Sequence, residues 1–208
     1  CTPRMHNAAR RPSRPINAPL AGVRGAQALN LAIFGDENRF GKLPVTLYDK
    51  DYPNQVDFTS FDMAVAPGRT YKYFTGTPLF PFGHGLSYST FDTSCNIITS
   101  TAISAAGWTS ISCTVAVATG SVAGDEVLLV FHSVSDDIRT QESDKHPVPI
   151  KELVAFDRKH ATLTTPATFE FDIGANQLGL VDENGDRQLV AGHHTVVVTN
   201  GVGFSQSF

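Results

Sequence analysis

Residues 111–133, ISCTVAVATGSVAGDEVLLVFHS, decide the class of fold. Both 111–119 and 126–133 are alternating or β-branched runs of strand length. Outward from them lie further runs of the same kind, at 91–99 on one side and at 150–158, 168–173, 188–190 and 195–199 on the other. Seven strands at such short spacing predict a β-sandwich over residues 90–208. Within it, Asn184-Gly185 marks a hairpin, because that dipeptide tolerates the positive φ angles of a type I′ turn. The same loop has the Asp182, Asn184, Asp186 alternation of a calcium loop. Arg187 stands where such a loop needs glycine, however, and no Glu closes the site, so the turn is the reading taken.

Composition agrees with a mainly β chain. Of 208 residues 41% are hydrophobic, enough for a real core, and only 17% are charged. The net charge of −4 hides an asymmetry: Arg4, Arg10, Arg11 and Arg14 lie near the start, and setting those four aside leaves the rest at −8. Four arginines without interleaved aromatics or a binding fold do not make a nucleic-acid surface. No apolar window reaches the ~18 residues of a membrane span, and no signal peptide is visible. A start at Cys1 rather than Met suggests a fragment. Cys95 and Cys113 sit in neighbouring strand-like runs; a disulfide there would contribute about 3 kcal/mol, and two buried free thiols are the other reading.

Before residue 90 the pattern changes. Residues 1–19, with Pro3, Pro12, Pro15 and Pro19, read as an unstructured lead. Residues 22–34 place Val23, Ala26, Leu29, Ile33 and Phe34 at helical spacing, followed by Gly35 where a helix commonly ends. LPVTLY at 43–48 reads as a strand and as the nearest partner for that helix. Residues 49–89 read as an extended connector, with possible strands at 70–75 and around Leu79. Its last part, PGRTYKYFTGTPLFPFGHGLSY (67–88), gathers rings and glycines. Pro78 and Pro81 bar a strand from continuing, and Gly76, Gly83 and Gly85 permit turns. Tyr71, Tyr73, Phe80, Phe82 and Tyr88 are therefore expected to be buried anchors between two packed bodies rather than a sugar platform. Arg69 and Lys72 are expected to pair across that seam as rim charges of little weight.

No complete active site is legible. Glycoside hydrolysis needs two carboxyl groups about 5–10 Å apart. Asp125 and Glu126 are adjacent on a strand and point to opposite faces, while Asp136 and Asp137 fall in SDDIRTQESDKHP, a solvated loop by composition. The histidines 132, 146, 160, 193 and 194 show no ligand spacing; His193 and His194 would face opposite ways, so no metal is expected. Ser87 lacks the strand–elbow–helix of a nucleophile, and GHG lacks the context of a phosphate loop. No catalytic, cofactor-binding or metal-ligating residue is assigned, and no cofactor.

The segments FGDENRFGKLPVTLYDKDY, TSFDMAVAPGRTYKYFTGTPLFPFGHGLSYSTF and KELVAFDRKH with FDIGANQLGLVDENGDRQLVAGHHTVVV, taken together, resemble the C-terminal part of a family 3 glycoside hydrolase. The β-xylosidase-like branch is the most similar. In that family a barrel domain carries the nucleophilic aspartate, an α/β sandwich domain the acid/base glutamate, and a fibronectin type III-like domain closes the chain. The resemblance implies a remnant of the α/β domain at 20–48, an inter-domain linker at 49–89 and the fibronectin type III-like domain at 90–208. It further implies that both reacting carboxyls lie upstream, so that this chain alone is inactive and partners the missing catalytic domains. Substrate, an oligo- or polysaccharide, would be met only through them, in an extracellular setting with no nucleic acid and no membrane. The competing expectation is an independent carbohydrate-binding or adhesion module of the same β class.

Overall fold

The computed structural model describes residues 22–99 and 102–208; the 1–19 lead lies outside the described residues. In chain order the elements are helices α1 (Gly25–Phe34) and α2 (Thr70–Tyr73) and strands β1 (Phe91–Ile97), β2 (Trp108–Val117) and β3 (Gly124–Val134). Helix α3 (Asp136–Glu142) and strands β4 (Glu152–Ala161) and β5 (Ala167–Gly174) follow. Helix α4 (Ala175–Leu178) precedes β6 (Leu180–Val181), β7 (Arg187–Gln188), β8 (His194–Thr199) and β9 (Ser205–Ser207). The chain is mainly β, and its strand pairs are antiparallel.

Three strands form one sheet in the order β1-β2-β5 and four form another in the order β4-β3-β8-β9. Alternation puts Phe169, Phe171 and Ile173 of β5 and Ile111, Cys113 and Val115 of β2 on one face. They share a single core with Leu128 and Val130 of β3 and Val196 and Val198 of β8, so the sheets pack face to face. Full burial of a side chain such as Phe169 contributes about 2–3 kcal/mol. Strand β3 is buried on both faces, because Val127, Leu129 and Phe131 on its far side are covered by Tyr71 and Phe82 from the preceding segment. That double burial accounts for the unbroken apolar run VLLVF. Cys95 and Cys113 are opposite each other in the β1–β2 register and are disulfide-bonded, which decides between the two readings of the cysteines.

Several expectations need correction. Residues 188–190 do not join the sandwich sheets, although Leu189 packs against their shared core: β7 pairs with β6, and the seventh strand is the short, polar β9. The hairpin turn is not type I′. Of its central residues only Gly185 takes a positive φ, 88°, and its N–H donates to the Asp182 carbonyl, the pattern of a type I turn with a glycine bulge. Residues 136–142 are helical rather than looped, because Ile138 and Glu142 turn inward. Helix α1 ends at Gly35 (φ 86°) as expected but starts at Gly25, and none of its residues is buried against 43–48. LPVTLY forms no regular strand; paired backbone bonds join Leu43 to Gly83 and His84, and Leu47 to Phe80, with Pro44 and Pro81 interrupting the ladder. Residues 70–73 form a helical turn, not a strand, which sends Tyr71 to Phe82, Lys72 to Glu152 and Phe74 to Tyr48 and Tyr52. A strand with two faces could not serve three directions.

Candidate functional site

The seam between residues 36–90 and the sandwich holds the densest network of polar and aromatic contacts. At its lower end Asn38 is buried and uses its whole amide. Its Nδ2 donates to Ser89 Oγ (2.8 Å) and the Ala123 carbonyl (3.2 Å), and its Oδ1 accepts from Ser87 Oγ (2.9 Å) and the Tyr88 N–H (3.1 Å). Ser87 is thereby a structural hydroxyl. Beside it, Lys42 Nζ lies 3.0 Å from Glu126 Oε1, with side chains only 9% and 5% exposed, and Asn200 Nδ2 donates to the other carboxylate oxygen (3.1 Å). A buried pair of this kind holds only because each charge has its partner.

Rings fill the middle of the seam. Tyr71 stacks on Phe82 at 4.2 Å between centroids, and both meet Phe131 edge-on. Tyr48 and Tyr52 stack at 3.8 Å with Phe74 edge-on to both, and the Tyr52 hydroxyl donates to the Gly68 carbonyl (2.8 Å). Burial raises the Tyr52 pKa, and the neighbouring Tyr48 adds to the rise. Tyr71 and Phe82 thus stack on each other at the seam, but both are only half-buried, as are Tyr73 and Phe80, so the expected burial is met only in part. Tyr88 departs from the expectation: it is half exposed, edge-on to Phe40, and its hydroxyl reaches the Ala32 carbonyl of α1.

At the upper end Lys72 Nζ meets Glu152 Oε1 at 2.7 Å, and Arg187 Nη2 meets the same oxygen at 2.9 Å. Burial pushes the Glu152 carboxyl up, but hydrogen bonds from Lys72 and Arg187 outweigh it and hold the group below its ordinary value. Arg69 does not pair across the seam. Its guanidinium donates to the carbonyls of Ser60 and Asp57 within its own segment. A groove of about 520 Å³ opens beside Phe82, Phe131, Lys151, Val197 and Phe204, and no carboxylate lines it. It cannot present the two carboxyl groups of glycoside hydrolysis.

The acids weighed from sequence stay apart. Asp125 is bound by Arg158 (3.2 Å) and His160 (2.7 Å), Glu126 by Lys42, while Asp136 and Asp137 lie exposed on the first turn of α3. Asp182 spends Oδ1 on the N–H groups of Asn184 and Asp186 and Oδ2 on Gln188. Among the described residues no group of three or more His, Cys, Asp or Glu could hold a metal ion, and no helix is long and apolar enough to cross a membrane. Sequence reasoning missed Asn38, Lys42, Glu152 and Arg187 as seam residues. Their partners lie 35 to 85 positions away, and no local pattern announces such pairs. Contact between His132 and His194 also escaped it, because it depends on the pairing of β3 with β8, which no local pattern gives.

No protein-family model matches the chain. Over 86% of its length it is 31% identical to Beta-D-xylosidase 1 of Arabidopsis thaliana, of which it covers 26%. An alignment of the same extent is 31% identical to a probable exo-1,4-beta-xylosidase of Aspergillus fumigatus, covering 24% of that protein. The chain spans about a quarter of the length of these curated relatives. Among solved structures, a β-glucosidase of Erythrobacter marinus matches 88% of this chain and 23% of its own, with a TM-score of 0.64 and 25% identity. In sequence and in fold the chain resembles the C-terminal region of family 3 glycoside hydrolases, and its sequence places it nearest their β-xylosidase-like branch.

Proposed function

We propose that this chain is the C-terminal portion of a β-xylosidase-like glycoside hydrolase and serves there as a structural and positioning module. One observation carries the reading. The chain aligns over most of its own length with only a quarter of each β-xylosidase, while its buried acids are committed to structural ion pairs. On this reading residues 90–208 are a fibronectin type III-like domain, supported by the three-plus-four strand order. Residues 49–89 are the inter-domain linker, and 20–48 the remnant of an α/β domain whose other elements partner α1. The reacting aspartate and glutamate belong to the preceding domains. The Cys95–Cys113 bond supports maturation in an oxidising, extracellular setting.

The test is a chimera. Residues 22–208, put in place of the matching quarter of Beta-D-xylosidase 1, should give an enzyme that hydrolyses aryl β-xylosides. A chimera that folds but is inert overturns the reading. The 208-residue chain alone should show no turnover above an inactive-protein control. Titration with xylo-oligosaccharides should leave the fluorescence of Trp108, the single tryptophan, without a saturable change. A saturable change would favour the independent binding module instead.

A further inference from the structure

We propose that the groove beside Phe82 and Phe131 is a binding site for a small carboxylate with a flat apolar body, an arylcarboxylate, whose charge is met by Lys151. The groove continues a face of the four-stranded sheet that the preceding segment covers only in part. Register sets Phe131 against Val197 and Thr199 against Ser205, so alternation puts these side chains on the same face as Val127 and Leu129. Tyr71 and Phe82 pack on the Val127, Leu129 and Phe131 end of that face. From Phe131 toward β9 it opens into a recess of about 520 Å³, within the roughly 300–1,000 Å³ of small-molecule sites. The recess is too small for a stable protein interface, which takes about 20–30 residues a side.

Among the described residues Lys151 is the one charged side chain that lines the groove. It is half-buried, its Nζ lies 4.7 Å from the centre of the Phe131 ring, and among the described residues it has no ion-pair or hydrogen-bond partner. The neighbouring acid, Glu152, is already taken by Lys72 and Arg187. Burial pushes the Lys151 pKa down, the mark of a cation that has lost water without gaining a countercharge. Lys42 and Lys72 at the same seam each have an acid within 3.0 Å, so Lys151 repeats their arrangement with the acid left to a ligand. A lone ammonium suits a singly charged carboxylate; a phosphate dianion calls for several donors. Beyond it Phe82, Val197, Val202 and Phe204 make an apolar wall, which favours a flat apolar body over a sugar, whose hydroxyls would lose water there. Ser133 and Ser205 supply further donors. The 201–204 wall is preformed: Asn200 Oδ1 accepts from the N–H groups of Val202, Gly203 and Phe204, and Gly201, at φ 78°, lies so close to Gly83 that a Cβ would strike its carbonyl. A preformed wall keeps the ordering cost of binding low.

Amide spectra of the nitrogen-15-labelled 208-residue chain, titrated with benzoate and then cinnamate near neutral pH at constant ionic strength, read the site directly. Both probes should give saturable shifts at 131–133, 150–152 and 197–205. Benzoate should show a Kd of about 1 mM or tighter, ordinary for a probe of about nine non-hydrogen atoms. Benzamide keeps the ring and loses the charge, and acetate keeps the charge and loses the ring; each should bind at least about tenfold more weakly. Lys151→Met should weaken benzoate binding at least about tenfold while its thermal midpoint without ligand stays close to that of the parent chain. Lys151→Arg should keep the affinity within a few-fold. No saturable shift by about 10 mM benzoate, equal affinity for benzamide or acetate, undiminished binding in Lys151→Met, or shifts confined to the exposed 58–65 loop each overturn the proposal. So does saturation by xylo-oligosaccharides or by a glutamate-rich peptide where benzoate gives none, because the groove then belongs to a sugar or to a protein partner.

Discussion

Residues 36–90 and the sandwich that follows are held by different kinds of bond. In the sandwich, ladders between strands satisfy the backbone and one shared apolar core binds the sheets. In the preceding segment the fastening comes largely from side chains that reach backbone or other side chains. Asn38 bonds Ala123, Tyr52 bonds Gly68, Tyr48 receives the Thr70 N–H, Tyr71 receives the Leu153 N–H, and Lys42 and Lys72 each meet an acid on the sandwich. The difference teaches that the segment has only the small Tyr48–Tyr52–Phe74 cluster as a core and takes much of its order from the surface it lies on. Destroying the sandwich must therefore release the segment, whereas loosening the segment can leave the sandwich folded.

The largest effect expected is from Phe169→Ala at the centre of the shared core. Its loss should cost about 3–5 kcal/mol, and both regions should unfold together in a denaturant titration followed by tyrosine fluorescence and far-ultraviolet circular dichroism. A segment that stays ordered after the sheets melt would break the comparison. Next comes Lys42→Met, which leaves the Glu126 carboxylate buried with no countercharge, held by the Val127 N–H and the Asn200 amide, at a cost of about 3 kcal/mol. Hydrogen exchange should rise at 37–48, and pairing the change with Glu126→Gln should recover part of the loss. Replacing Cys95 and Cys113 by alanine opens a loop of 18 residues and should lower stability by about 3 kcal/mol, without loosening the segment in particular.

The two regions also differ in how far sequence exposes them. Strands β1 to β5 and β8 were legible because alternation and β-branching report burial on a pleated sheet, whereas the cover on the second face of β3 was not read from the run VLLVF. Strand β9 was not, since SQS carries no apolar signal and pairs only because β8 offers an open edge. In the segment the same rules misled: TYKYFT alternates like a strand yet makes a helical turn, because tertiary contacts on three sides outweigh local pattern. That the rings near 71–82 are anchors could be argued from proline and glycine spacing; which residue receives each could not. The seam's ion pairs were illegible for the reason that makes them useful, since they join residues far apart in the chain.

Glu152→Gln sharpens the comparison at a smaller scale, because the residue belongs to the sandwich but two of its partners reach it from α2 and the hairpin. Loss of its charge should cost about 1 kcal/mol and raise exchange at 70–74 and 187–190 while the core strands stay protected. Since its folded pKa is lowered, the stabilisation is present above the ordinary carboxylate value and disappears as pH falls through the folded one. The variant should therefore match the parent chain at the acid end of a stability–pH profile and fall below it near neutrality.

Phe61→Ser should change least in stability, and for that reason it tests the contrast most sharply. Phe61 is 98% exposed on a loop whose shape is set by Arg69 holding the carbonyls of Ser60 and Asp57 and by Asp57 binding Thr59. Nothing in that scaffold uses the ring, so the denaturation midpoint should move by no more than the equivalent of about 0.5 kcal/mol. The ring does lie in a stretch of chain where Phe58, Met63 and Val65 are also exposed, and exposed apolar side chains close together promote association. Light scattering should accordingly show less self-association of the serine variant at unchanged stability. A loss above 1 kcal/mol would mean that these residues form a core of their own, and the segment would then be an independent body rather than one ordered by the sandwich beneath it.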